Sequence, residues 1–108
     1  MEKTVILEKS KRKGKRYKVT MKGFDGIEPH SHNFGSDVGK TFIDHKDEKK
    51  KKAWEARHST NKNWDNIHSP IFYSKKLLWN TPSLKKNIDL LSKELDAKFI
   101  VKLKKSEI

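Results

Sequence analysis

Arg16-Tyr17-Lys18-Val19-Thr20-Met21-Lys22 alternates polar and apolar residues at every step, the period of a β-strand with one buried face. Tyr17, Val19 and Met21 point to one side, and Arg16, Lys18, Thr20 and Lys22 to the other. Upstream, Thr4-Val5-Ile6-Leu7 is a β-branched apolar run. The segment between them, Lys9-Ser10-Lys11-Arg12-Lys13-Gly14-Lys15, is polar and carries one glycine, so the whole reads as a β-hairpin with a basic tip. Downstream, Gly23-Phe24-Asp25-Gly26 signals a second turn. Pro29 to Gly35 then supplies a third strand, with His30, His32 and Phe34 on one face.

Past the glycine-rich stretch from Gly35 to Gly39 the period changes. Asp44 is expected to cap a helix, with Asp47 at the third helical position in a capping-box-like pattern. Asp47 and Glu48 suit the positive end of that helix, and each stands four residues before a lysine. Ala53, Trp54 and Arg57 form a narrow stripe that ends near His58, and a polar loop around Trp64 follows. Ser69-Pro70 starts a short helix bearing Phe72, Tyr73 and Leu77. Thr81-Pro82 is a further start signal, with proline expected at the first helical position. Leu84, Ile88, Leu91 and Leu95 recur at helical spacing, and Phe99 to Leu103 reads as a last strand. Strands, then helices, then a strand predict one α+β domain over residues 1–108. The expected form is a small antiparallel sheet, the N-terminal hairpin plus one or two strands, packed with about three helices.

Composition narrows the function. The chain has 108 residues, room for a single modest core, and 26 Lys and Arg against 14 Asp and Glu give a formal charge of +12. A compact chain with that imbalance repels itself, which points to a polyanionic partner. No apolar run approaches the ~20 residues of a membrane span, so a soluble protein without a membrane partner is expected. With no cysteine, disulfides, thiolate metal sites and thiol nucleophiles all drop out. Three Trp, five Phe and two Tyr in a chain only 32% apolar argue for a folded domain over a disordered tail.

Seven of the ten residues from Lys9 to Lys18 are basic and none is acidic: Lys9, Lys11, Arg12, Lys13, Lys15, Arg16 and Lys18. A hairpin would hold them within the width of a DNA groove. Lys49, Lys50 and Lys52, with Arg57 further along the helix, make a second cluster, which Asp47 and Glu48 partly neutralise. Only three of the cations are arginine. Lysine meets phosphate as a point charge, whereas reading guanine favours the arginine fork, so affinity for double-stranded DNA is expected to be electrostatic and weakly sequence-dependent.

Catalytic patterns are weak. Five histidines raise the question of a metal-dependent nuclease, and His30-Ser31-His32-Asn33 precedes a helix, with Asp44 and Asp65 as candidate carboxylates. No HExxH, Cys/His array or finger spacing accompanies them. Gly35-Ser36-Asp37-Val38-Gly39-Lys40-Thr41 is one residue short of a P-loop. Trp54, Trp64 and Trp79 could stack on bases, but a core this poor in apolar residues needs at least Trp54 and Trp79. No enzyme activity, cofactor, metal or small-molecule substrate is expected. Exposed strand edges and the Leu84–Leu95 helix predict a homodimer.

Phe34-Gly35, Thr41 to Lys51, Ala56-Arg57-His58, Asn63-Trp64, Tyr73-Ser74 and Leu77-Leu78-Trp79-Asn80-Thr81-Pro82 together resemble the short basic proteins of large DNA viruses, the chlorella viruses, mimivirus relatives and marseilleviruses among them. The resemblance runs from Tyr17 to Ile88 and departs from the family pattern at Ile71-Phe72-Tyr73-Ser74, where Gly-Phe-Trp-Ser is usual. It implies an abundant, dimeric DNA-binding virion protein that compacts or packages the genome. Its place would be the virion interior, with host cytoplasm or nucleus during infection. The alternative is a structural, protein-interaction component of the particle.

Overall fold

The computed structural model describes residues 3–24 and 29–108. Its strands are β1 (Thr4–Lys9), β2 (Lys15–Lys22), β3 (His30–Ser36) and β4 (Lys98–Lys102). Its helices are α1 (Phe42–His45), α2 (Glu48–His58), α3 (Pro70–Tyr73) and α4 (Leu84–Leu95); a π-helical turn, Ser74–Leu78, continues α3. The expected α+β class is the one observed. The turn expected at Gly23 to Gly26 lies partly outside the described residues.

The four strands form one sheet in the order β3-β2-β1-β4. β1, β2 and β3 are an antiparallel meander, as the short turns require. The last strand departs from the antiparallel expectation. β4 pairs with β1 in parallel, placing Val5 beside Phe99 and Leu7 beside Val101, so the sheet is mixed. The reason is the helix before it: α4 carries the chain back along the sheet, and a strand entering after that return runs the same way as β1.

Alternation along the strands decides what is buried. Val5, Leu7, Tyr17, Val19, Met21 and Phe34 turn inward and join Phe42, Phe72, Tyr73, Leu77, Leu78, Leu84, Ile88 and Leu91 in one core. Fully burying each such side chain contributes roughly 2 kcal/mol. The Tyr73 hydroxyl donates to the Met21 thioether, and burial pushes its pKa up. All the helices lie on this inner side, and the outward positions of the sheet include no buried residue.

Two helix starts differ from the sequence expectation. Asp47, not Asp44, caps α2: its carboxylate accepts from the backbone N–H of Lys49 at 2.9 Å and of Lys50 at 3.4 Å. Asp44 sits one short helix earlier, where it accepts from the backbone N–H of Thr41 at 2.8 Å. Lys46, left-handed at φ 56°, separates the two helices. Ser83 caps α4 through the N–H of Lys86 at 3.1 Å, so Pro82 stands outside the helix. The Thr81 hydroxyl serves the turn ahead of the helix instead: it donates to Asn87 at 2.6 Å and accepts from the Ser83 N–H at 3.2 Å. Asn87, fully buried, also donates to the carbonyls of Leu77 (2.8 Å) and Thr81 (3.1 Å), tying the π-helical turn to α4.

Candidate nucleic-acid interface

The β1–β2 tip is a built turn rather than a loose loop. Ser10 N–H donates to the Arg16 carbonyl, Lys15 N–H to the Arg12 carbonyl, and Gly14 takes φ 84°. The Ser10 hydroxyl donates to Asn33 at 2.6 Å and accepts from the Arg12 N–H at 3.0 Å, pinning the tip to β3. Lys11, Arg12, Lys13 and Lys15 are all exposed there, and none has an ion pair among the described residues.

The base of the tip opens on a cleft of about 1050 Å³ between β1–β2, the β3–α1 connection, the start of α4 and the stretch after β4. Six cations line it, Lys9, Lys15, Arg16, Lys40, Lys46 and Lys104, against two carboxylates, Asp37 and Asp44. Lys40 also lines a neighbouring groove of about 510 Å³ with His45, Lys50, Trp54, Arg57 and Trp79. Lys40 is common to the two, so a basic track runs from Lys15 at the base of the tip to Lys50 and Arg57 of α2.

Arg16 is the expected contact that the structure places differently. Its guanidinium makes a two-pronged bond to the Asp44 carboxylate, at 2.6 and 2.8 Å, and donates to the Thr41 hydroxyl at 3.4 Å. Burial works against the Asp44 charge, but the hydrogen bonds from Arg16 and Thr41 outweigh it and hold the pKa down at about 2. Arg16 is thus a brace between the sheet and α1, with its charge already matched.

The remaining expected residues divide into groups. Lys50 and Arg57 line the groove; Lys49 and Lys52 are exposed elsewhere on α2. Lys18 lies on the outward face of the sheet and does not line the tip cleft. α2 itself buries no residue and is held by Trp54, whose ring stacks on Trp79 at 4.8 Å and 8° and also meets Trp64 and His58. Trp79 is buried, and Lys75 covers the Trp64 ring at 4.6 Å while pairing with Asp65 at 2.8 Å. These indoles are structural neighbours of the track rather than open stacking platforms.

Lys40 is a cation of this surface that the sequence does not announce: no local signal marks it, and only the fold brings the β3–α1 connection beside α2. Lys22, Lys98 and Lys102 likewise fall outside the charge clusters of the sequence, although the alternation in β2 already sets Lys22 on the same face as Lys18.

The histidines gather partly on the inner side of β3. His30 and His68 meet edge-on at 5.2 Å, and His32 stacks on Tyr73. Burial, and then the proximity of His68 and His30, lowers the His32 pKa. Among the described residues no group of three or more His, Asp or Glu is placed to hold a metal ion. Nor is any helix among them long and apolar enough to cross a membrane.

No curated protein and no solved structure matches the chain. Residues 5–58 match a family model described only as a family of unknown function, DUF5754. That match takes in the first three strands, the basic tip, Lys40 and the whole of α2, and it covers half of the sequence. The chain therefore belongs to the DUF5754 family.

Proposed function

We propose that this protein binds double-stranded DNA along the phosphate backbone with little dependence on sequence, in a genome-compacting or packaging role. The observation that carries the reading is the set of exposed cations Lys11, Arg12, Lys13 and Lys15 on the hairpin tip, without an ion pair among the described residues, followed by Lys40, Lys50 and Arg57 along the cleft and groove. Phosphate neutralisation needs clustered positive charge in excess of nearby carboxylates, and the tip cations together with those of the cleft outnumber Asp37 and Asp44. Base reading needs side chains that fork onto base edges. Five of these seven cations are lysine, and of the three arginines Arg16 is engaged by Asp44, which leaves Arg12 and Arg57.

The test is a mobility-shift titration on several unrelated duplexes at low and moderate salt. Wild type retards all of them alike, and log K falls with log salt at a slope of about −0.9 per phosphate engaged. Reversing Lys11, Arg12, Lys13 and Lys15 to Glu abolishes the shift at moderate salt. Absence of a shift for wild type at low salt refutes the reading and leaves a role against an acidic protein partner.

A further inference from the structure

We infer that a single chain bridges two duplexes, holding one along the tip–Lys40–α2 track and a second on the uncovered outer face of the sheet. This rests on the DNA-binding reading above and adds a second, separate surface to it.

Strand register builds that surface. Glu8 pairs with Lys18 on one side and Lys102 on the other, and Thr4 pairs with Lys22 and Lys98 in the same way. All these residues point away from the core, so four lysines stand at the corners of a rectangle. Its sides are four residues along the strands, roughly 13 Å, and two strand spacings across, roughly 10 Å. Between the two rows lie Thr20, Ile6 and Ile100, none long enough to keep a cylinder of DNA off the lysines. Ile100 is 40% exposed, and no described residue covers it.

The charge on this face is lopsided. Among the described residues four ammonium groups face one carboxylate, Glu8, and none of the four is ion-paired. Double-stranded DNA carries a charge every ~1.7 Å of its axis, so a stretch of roughly 13 Å offers several phosphates to these corners. The commitment to DNA over an acidic protein rests on this flat, sparse, lysine-cornered geometry, which supplies charge without an apolar pocket for an anchoring side chain.

Direction is what makes the surface a second site. The track ends in α2, which hangs from the helical side of the body by the Trp54–Trp79 stack. The lysine rectangle is on the reverse of the sheet from those helices. The α2 end of the track and the lysine rectangle are thus on opposite sides of the sheet, in a body of 40 × 33 × 28 Å.

The experiment anchors one biotinylated duplex on beads, adds the full chain at low salt, and measures capture of a second, fluorescent duplex of unrelated sequence. Wild type captures it. The triple variant Lys22→Glu, Lys98→Glu, Lys102→Glu still retards a single duplex but loses capture at least tenfold; Lys22→Gln, Lys98→Gln, Lys102→Gln loses it in part. Lys85→Glu, Lys86→Glu, Lys93→Glu, an equal charge change on exposed α4 positions, keeps capture and so separates position from net charge. Capture by the Lys22/Lys98/Lys102 reversal at the wild-type level overturns the inference, since bridging would then come from paired copies using their tracks. So does a wild type that retards one duplex yet never captures another, or whose outer face prefers vesicles of anionic lipid to DNA. No retardation at all by wild type removes the underlying reading instead.

Discussion

Removing the Arg16 guanidinium separates structural charge from binding charge. In Arg16→Met an unbranched stem is kept, while the guanidinium's two bonds to Asp44 and its position over the Tyr17 ring are lost. The Asp44 pKa falls from 3.8 to about 2 in the fold. At about 1.4 kcal/mol per unit that depression has a ceiling near 2.5 kcal/mol, shared between Arg16 and Thr41. Solvent reaches both side chains and screens the pair, which leaves about 1 kcal/mol for Arg16, or roughly 4–6 °C in Tm for a domain of this size. The sign follows from linkage. A carboxylate with a depressed folded pKa contributes its full stability above 3.8 and loses it as pH falls through about 2. Thermal unfolding of wild type and variant from pH 7 down to pH 2 should therefore show a gap at neutral pH that closes in acid. Asp44→Asn added to Arg16→Met should cost less than it does in wild type. On DNA, Arg16→Met should flatten the salt slope much less than Lys13→Met. A Tm gap below 1 °C at pH 7, or one that persists undiminished at pH 2, refutes the assignment of Arg16 as a brace.

Trp54→Ala removes the anchor of α2, and an 11-residue helix with no buried residue is marginal alone; hydrogen exchange should show α2 amides losing protection while β1 and β2 keep theirs. Asn87→Leu leaves the Leu77 and Thr81 carbonyls and the Thr81 N–H without their partners, a loss of about 3 kcal/mol read by urea unfolding. His32, with its pKa lowered in the fold, favours the neutral form. Its contribution is constant above the ordinary value of 6.5 and is lost as pH drops from there toward the folded value. His32→Phe should reduce the loss of stability on mild acidification, and an NMR titration of wild type should place the His32 midpoint below 6.5.

Alternation alone makes the core face of the sheet legible. Period assigns Tyr17, Val19 and Met21 to the core, as it does Leu84, Ile88, Leu91 and Leu95 of α4, and all seven are buried. Pairing direction is not legible in the same way. Nothing local to Phe99–Leu103 says whether its neighbour runs parallel or antiparallel, because that depends on how α4 returns the chain. The cap of α2 goes to the wrong acid for a similar reason: Asp44 and Asp47 both satisfy the local pattern, and a left-handed Lys46 between them decides which helix each serves. The basic tip is plain in the sequence as a run of charge. Its extension through Lys40 to α2 is hidden there, since it joins segments that only the fold sets side by side.

The same alternation that builds the core also builds the outer surface, and this makes the two separable by mutation. Along β2 the odd positions Tyr17, Val19 and Met21 are buried, whereas the even positions Lys18, half-buried, and Lys22, exposed, carry charge on the outer face. Along β4 the half-buried Phe99 and Val101 alternate with exposed Lys98, Ile100 and Lys102. A small core cannot spare interior volume for a polar site, so a chain of this size is left with its outward positions for recognition. Charge changes at Lys22, Lys98 and Lys102 should accordingly alter what the protein holds while leaving its unfolding midpoint nearly unmoved. Arg16 is where this rule breaks: it occupies an even position but reaches round to α1, and the Asp44 carboxylate there makes it part of the framework.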